Sequence, residues 1–145
     1  MTSALIFLPL AGALVVALVP LERRFTEWLA LLVTLAECAL GAAALIGFDA
    51  GGGAQYVENR EWISDFGLNA AVRYHVSMDG LSLFMVLLTA VGIAAAAGAA
   101  IRMGRDRPRA YFALLLVLEA ALVLLFTAQD MVLFYVGWEL MMIPL

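Results

Sequence analysis

Long apolar stretches alternate with short polar stretches along the chain, and this alternation predicts helices that cross a membrane. Apolar runs cover residues 4–19, 28–48, 81–101 and 111–126. Each run approaches or exceeds the roughly 20 helical residues that a hydrocarbon core about 30 Å thick requires. A fifth run, residues 131–145, is too short for a full crossing. The pattern therefore predicts an all-α integral membrane protein with five transmembrane helices, of which the fifth is incomplete.

The longest polar stretch, residues 49–78, separates the first two predicted spans from the remaining three. Val72, Tyr74 and Val76 alternate there with polar residues, and this period of two is typical of a half-buried strand. We expect residues 56–63 to pair with that strand, with residues 66–69 between them, in a hairpin on the protein surface. The predicted organisation is two helices in 1–48, a periplasmic loop in 49–78, and helices three to five in 79–145.

The placement of arginines predicts which side of the membrane each loop faces. Two arginines lie in the polar turn after the first span, and four follow the third span. The long loop has two arginines against four acids, and the turn near Asp130 has no basic residue. Since loops rich in basic residues stay in the cytoplasm, we expect the N-terminus and the long loop on the periplasmic side. Asp79 is expected to cap the third helix by accepting its free first-turn amides.

Composition agrees with a membrane location and argues against several other classes of protein. The 145 residues are 66% hydrophobic and 14% charged, with a mean hydropathy of +1.02, whereas soluble domains are nearer half apolar. The formal net charge of -4 is spread along the chain and does not predict a nucleic-acid partner. One cysteine, Cys38, and one histidine, His75, predict no metal, iron–sulfur or haem site. The sequence has no dinucleotide or phosphate-loop fingerprint.

Three acids interrupt the predicted spans, and they are the candidates for function: Glu37, Glu119 and Glu139. A bare carboxylate inside hydrocarbon is costly, so an intramembrane acid is a functional hypothesis by default. Glu139 follows the expected water boundary at Asp130 by nine residues, which places it about 13 Å deep at 1.5 Å per residue. Pro144, five residues later, removes an amide donor and is expected to weaken the helix there.

Each of these acids also has a structural interpretation. Glu37 could be protonated and hydrogen-bonded to a neighbouring helix, or it could face a partner subunit. Glu119 could relay protons or only make a structural hydrogen bond, and no basic residue of the chain is expected at its depth. For Glu139 the functional interpretation is favoured, because its depth, the nearby proline and the flanking aromatic residues coincide. Those aromatics, taken alone, are more typical of packing than of a cofactor site.

Three stretches of the sequence are similar to one family of membrane proteins. FYVGWELMMIPL, residues 134–145, closely resembles the fifth-helix motif of the M subunit of bacterial respiratory complex I, an NADH-quinone oxidoreductase with antiporter-like, proton-pumping subunits. YHVSMDGLSLFMVLLT, residues 74–89, is similar to the stretch that leads into the family's third helix. FTAQDMVLFY, residues 126–135, fits between its helices four and five.

The resemblance implies a fold of about fourteen helices with two inverted repeats of broken helices, of which this chain would be the first third. On the same basis, Glu139 matches the family's helix-five glutamate, which is thought to pair with a lysine on a later helix. Glu119 matches an acid often seen on helix four, where it is a possible relay. The resemblance implies no role for Glu37. It implies no cofactor and no metal in this chain, with flavin, iron–sulfur clusters and quinone bound by other subunits.

The function implied is proton translocation by a membrane-arm subunit, driven by NADH oxidation by quinone. The partners implied are the other membrane-arm subunits, especially the neighbouring antiporter-like L and N subunits, within the lipid bilayer of the bacterial inner membrane. Because the fifth run is too short, we expect Leu145 to be a truncation. Two alternatives stay open: a subunit of a multi-subunit cation/proton antiporter or membrane-bound hydrogenase, and a helical anchor or assembly subunit without a transport role.

Overall fold

The computed structural model of the chain describes residues 1–20, 22–63 and 72–145, and it contains five helices and a two-stranded antiparallel sheet. In chain order the elements are α1 Thr2–Leu18, α2 Arg23–Ile46, β1 Gln55–Ile63, β2 Val72–Met78, α3 Gly80–Met103, α4 Pro108–Thr127 and α5 Met131–Met142. The predicted connection at residues 66–69 lies outside the described residues. Three helices, α2, α3 and α4, are long and apolar enough to cross a membrane, whereas α1 and α5 are shorter apolar helices.

The sheet corrects the all-α prediction. Strand β1 pairs antiparallel with β2, with Asn59 opposite His75 and Arg60 opposite Tyr74. The predicted strand pair is thus confirmed, and the overall class is a helical bundle with a hairpin at one end. The hairpin forms because β2 buries Val72 and Val76 while exposing Arg73, the alternation expected of a strand with one covered face.

One helix end differs from the sequence prediction for an identifiable reason. Helix α2 begins at Arg23, so the predicted polar turn is largely helical. The Arg23 guanidinium donates to the Glu27 carboxylate at 2.9 Å, and this i,i+4 pair supports a charged first turn that resembles a loop in sequence. Helix α5 covers Met131–Met142, and Ile143 after it keeps helical dihedral angles. The effect of Pro144 on the helix stays a prediction.

The two ends of the bundle carry different chemistry. The arginine-rich turns meet at one end, where Arg109 donates to the carbonyl oxygens of Ala17 and Val19 at 3.3 and 3.0 Å. The hairpin lies at the opposite end, where the Thr2 hydroxyl donates to the Tyr56 carbonyl oxygen at 2.8 Å. Both arginine-rich turns thus share one side, as their predicted common orientation requires.

Two carboxylates at the hairpin end are held by local donors. Asp79 caps α3 as predicted, and its carboxylate accepts the Ser82 amide at 2.7 Å. That backbone hydrogen bond is the main reason why the pKa of Asp79 is lowered. Partial burial raises the pKa of Glu58, but hydrogen bonds from Ser3 and the Met1 amino group outweigh it and leave the pKa lowered. These contacts fasten the start of α1 to the hairpin.

Helix α4 is the central element, because it packs against each of the other four helices. The buried apolar side chains form two separate clusters, one towards the hairpin and one towards the arginine-rich end. The cluster near the hairpin contains Leu5, Ala44, Val86 and Val123 among others. The cluster near the arginines contains Val16, Ala30, Ala97, Phe112 and Leu116 among others. Each of the first four helices therefore contributes to both clusters and has a middle section between them.

Candidate proton site

Glu139 lies on a face of α5 that the described residues leave open to the surroundings. Asp130 begins the helix, and its carboxylate accepts the amides of Val132 and Leu133 at 2.8 and 3.3 Å. Glu139 is exposed, and the Tyr135 side chain one turn earlier interacts with its carboxylate. The carboxylate is thus available to a group that lies outside α1–α4.

The opposite face of α5 is fixed against α4 by a close backbone approach. Gly137 is buried, and a Cβ atom there would come within 3.2 Å of the Leu125 backbone nitrogen. Leu133, one turn earlier, is also buried against the cluster near the hairpin. Glycine at this position lets the two helices touch, and the contact sets the rotation of α5 that turns Glu139 outward.

Glu37 and Glu119 lie inside the bundle, in its middle section. Both residues are 0% exposed. Among residues 1–20, 22–63 and 72–145, none of the four carboxyl oxygens has a hydrogen-bond partner. Glu37 is on the buried side of α2 and Glu119 on the buried side of α4, and these two helices pack against each other. The structure therefore places two acids that are 82 residues apart in sequence on one pair of packed helices.

All three acids lie at one level of the bundle. Glu37 is nine residues before Ile46, the last residue of α2, and Glu119 is eight residues before Thr127, the last of α4. Glu139 is eight residues after Met131, the first of α5. These three helix ends are all at the hairpin side, so each acid lies roughly 12–14 Å from that side. If the five predicted spans cross the membrane, this shared level corresponds to the middle of a hydrocarbon core.

Other groups in the described part of the chain do not extend this site. A groove of about 690 Å³ opens between α1, the hairpin and α5, but none of the three acids lines it. His75 lies on β2, where its carbonyl oxygen accepts the Gln129 amide at 2.8 Å. Within the described ranges, no group of three or more His, Cys, Asp or Glu side chains is placed to hold a metal ion. The chemistry that the arrangement supports is proton binding by carboxylates.

Sequence reasoning found the three acids but not their relation. It placed Glu119 and Glu37 separately, each with an open structural role, and the structure places both at the same level on the packed helices α2 and α4. The hydrogen bond from Glu37 to a neighbouring helix, one of the predicted alternatives, is absent among the described residues. Equal depth was the available signal, since both acids are central in their predicted spans.

Comparisons with known proteins identify the family. No family model matches the chain. Over 98% of its length, however, the chain is 39% identical to the NAD(P)H-quinone oxidoreductase chain 4 of Synechococcus sp. (strain CC9605). Over 99% of its length it is 36% identical to the NADH-quinone oxidoreductase subunit M of Rhodobacter capsulatus. The chain belongs to the subunit M/chain 4 family. It covers 26% and 28% of these two relatives, so it spans about a quarter of their length.

The fold of this subunit M/chain 4 segment is also found in a solved structure. A chain in the membrane-bound sulfane sulfur reductase, described as an archaeal respiratory membrane complex, matches 97% of this chain with a TM-score of 0.71. The sequence identity is 16%, and the match covers 21% of that chain, so the likeness concerns the fold. The curated relatives and the three long apolar helices identify this chain as a membrane protein.

Proposed function

We propose that this chain forms part of a proton-translocating membrane-arm subunit of an NADH-quinone oxidoreductase. The single observation that supports it best is the position of Glu139, which is exposed about 12 Å along α5 in a stretch that resembles the helix-five motif of subunit M. All five helices are taken as spans in this proposal, with α5 extended by sequence beyond this segment. The fold would then continue into the inverted repeats that the resemblance implies.

In the proposed mechanism, Glu139 alternates between a protonated and an ionised state. A lysine on a later helix of the complete subunit would approach the open face of α5 and favour the carboxylate. When the cation withdraws, the carboxylate in an apolar environment takes up one proton from a water chain. When the lysine returns, it favours the ionised carboxylate again and displaces the proton towards a different water chain. The result is a net transfer of one proton across the membrane.

The remaining assignments follow the same proposal. The hairpin end would face the periplasm and the arginine-rich end the cytoplasm of a bacterial inner membrane. The L and N subunits would be the neighbours, and flavin, iron–sulfur clusters and quinone would be bound by other subunits. Glu119 stays a candidate relay, and because Glu139 faces away from α4, the relay would reach Glu139 through groups outside this segment.

The test replaces Glu139 by glutamine in the full-length subunit within the assembled complex. Glutamine keeps the shape but cannot ionise, so proton pumping should fall to the background level of the membrane, while Glu139→Asp should keep part of it. Quinone reduction and proton uptake into inverted vesicles are measured together. Glu22→Gln, an exposed acid at the arginine-rich end, is the matched control and should pump normally.

Undiminished pumping in Glu139→Gln would refute the assignment of this residue. Mass spectrometry of the gently solubilised complex tests the assembly independently. We expect NADH-oxidising subunits to copurify, whereas a hydrogenase or a set of cation antiporter subunits in their place would contradict the proposal.

A further inference from the structure

The pair formed by Glu37 and Glu119 is a closed site within this segment. The apolar cluster near the hairpin covers it on one side and the apolar cluster near the arginine-rich end covers it on the other. Both side chains are fully buried, and none of their carboxyl oxygens has a partner among the described residues. Within the described residues, protonation is therefore the means by which the buried charge of the pair can be reduced.

The charged and titratable groups around the pair are few. Helix α1 has no titratable side chain, and α3 has Arg102 alone, which is one residue from its end. On α2, Cys38 is the titratable neighbour, and Glu27 is engaged with Arg23 at the arginine-rich end. Thr34 is buried but donates to the Leu31 carbonyl oxygen within its own helix. No cation in the described part of the chain neutralises the pair.

Electrostatics limits the charge that such a pair can hold. Two buried carboxylates on packed neighbouring helices disfavour each other's charge in an environment of low dielectric constant. Burial of an unpaired charge adds a desolvation penalty. A proton shared between the two carboxyls relieves both costs, since the protonated group donates a hydrogen bond to the ionised one.

We infer that Glu37 and Glu119 form a second proton-binding site, in which the two carboxyls share at least one proton between α2 and α4. Loading adds one proton to the remaining carboxylate and leaves the pair uncharged, and release returns that proton and restores one negative charge. The two acids titrate as one unit, so neither has a protonation state of its own. Proton binding here does not depend on the proposed function, whereas a part for the pair in pumping does.

Infrared spectroscopy of the assembled complex tests proton binding directly. Glu37→Gln, Glu119→Gln and the double variant are compared by the C=O absorption of protonated carboxyl groups and its shift in deuterated water. We expect an absorption in the unsubstituted complex that each single substitution alters and the double substitution removes. Glu27→Gln, on the same helix but bound to Arg23, should leave it unchanged. An absorption that persists unchanged in the double variant would overturn the inference.

Measurements of proton pumping then test whether Glu37 and Glu119 act as one proton-binding site. Each single substitution should reduce the protons pumped per NADH severalfold, and the double variant should be no worse than either single one, because both remove the same site. Losses that multiply in the double variant would show two independent sites and contradict the inference. If Glu37→Gln fails to assemble, Glu119→Gln and the conservative variant Glu37→Asp are measured in its place. Glu37→Asp should retain the carboxyl absorption.

The same experiments separate this inference from the proposed function. Loss of pumping in Glu139→Gln with normal pumping in both pair variants would leave the proposed function standing and remove the pair from the pathway. Full pumping in Glu139→Gln would contradict the proposed function, while the infrared result would still decide whether the pair binds a proton.

Discussion

Glu139 and the Glu37–Glu119 pair lie at the same depth but in opposite surroundings. The pair is enclosed by four helices and two apolar clusters, whereas Glu139 stands on the open face of α5 beside Tyr135. Depth alone therefore does not define the role of an intramembrane acid. The surroundings of the carboxyl matter as well. The pair is surrounded by side chains of this segment and can bind a proton there, whereas Glu139 requires a group from outside this segment.

The largest contrast is expected in stability. Replacing buried paired polar groups by apolar residues of similar volume is often neutral or stabilising by about 1–4 kcal/mol. The double substitution Glu37→Leu/Glu119→Leu removes both carboxyls together and should therefore leave the thermal stability of the subunit unchanged or raise it, although it removes the proton site. Glu139→Leu should lower stability, because under the proposed function it leaves the lysine of the complete subunit without its partner. Thermal inactivation of the purified complex measures both, and a clear loss of stability in the double variant would show that the pair has further partners.

The second-largest effect is expected from a change in the α4–α5 contact, which should affect Glu139 but not the Glu37–Glu119 pair. Gly137→Ala places a methyl group against the Leu125 backbone, which cannot move like a flexible side chain. Overpacking of this kind costs typically about 1–3 kcal/mol, and it should displace Glu139 while leaving the pair in place. Pumping should fall while the carboxyl absorption of the pair persists. The control is Gly92→Ala, where a Cβ meets open space, and equal effects of the two substitutions would contradict the close contact.

The smallest expected effect concerns the start of α5. Asp130→Ala removes an N-cap that accepts two amides, and such a loss costs typically about 1 kcal/mol. It should loosen the first turn of α5, nine residues before Glu139, and leave α2 and the pair unaffected. Hydrogen exchange of residues 131–134 is the measurement. Asp130→Asn keeps an acceptor and should behave as the unsubstituted chain, and protection unchanged in Asp130→Ala would argue against the cap.

Local sequence signals predicted much of this fold. The Asp79 cap, the strand alternation of Val72 and Val76, and the long apolar runs each depend on near neighbours, and the structure confirms them. The start of α2 was mispredicted because Arg23 and Glu27 look like loop residues until their pairing along a helix is considered.

The relation between Glu37 and Glu119 could not be predicted in the same way. The spanning helices are apolar on most of their faces, so the sequence carries little information on which face meets which neighbour. Rotation and neighbour choice come from side-chain packing, such as the contact at Gly137, which only the structure shows. Glu139 was the easier candidate because its evidence, a motif with nearby aromatics, lies within twelve consecutive residues.

The tie between the hairpin and the turn after α4 has a mechanical consequence. Val76 and Ala128 form an isolated bridge, and the Gln129 amide donates to the His75 carbonyl oxygen at 2.8 Å. The turn that joins α4 to α5 is therefore held to β2 on one side. Glu139 lies about 12 Å along α5 from this turn, and Gly137 holds the helix against α4 in between. Because the turn and the glycine contact fix α5 at two points, the height and direction of the Glu139 carboxylate are set before any group outside this segment meets it.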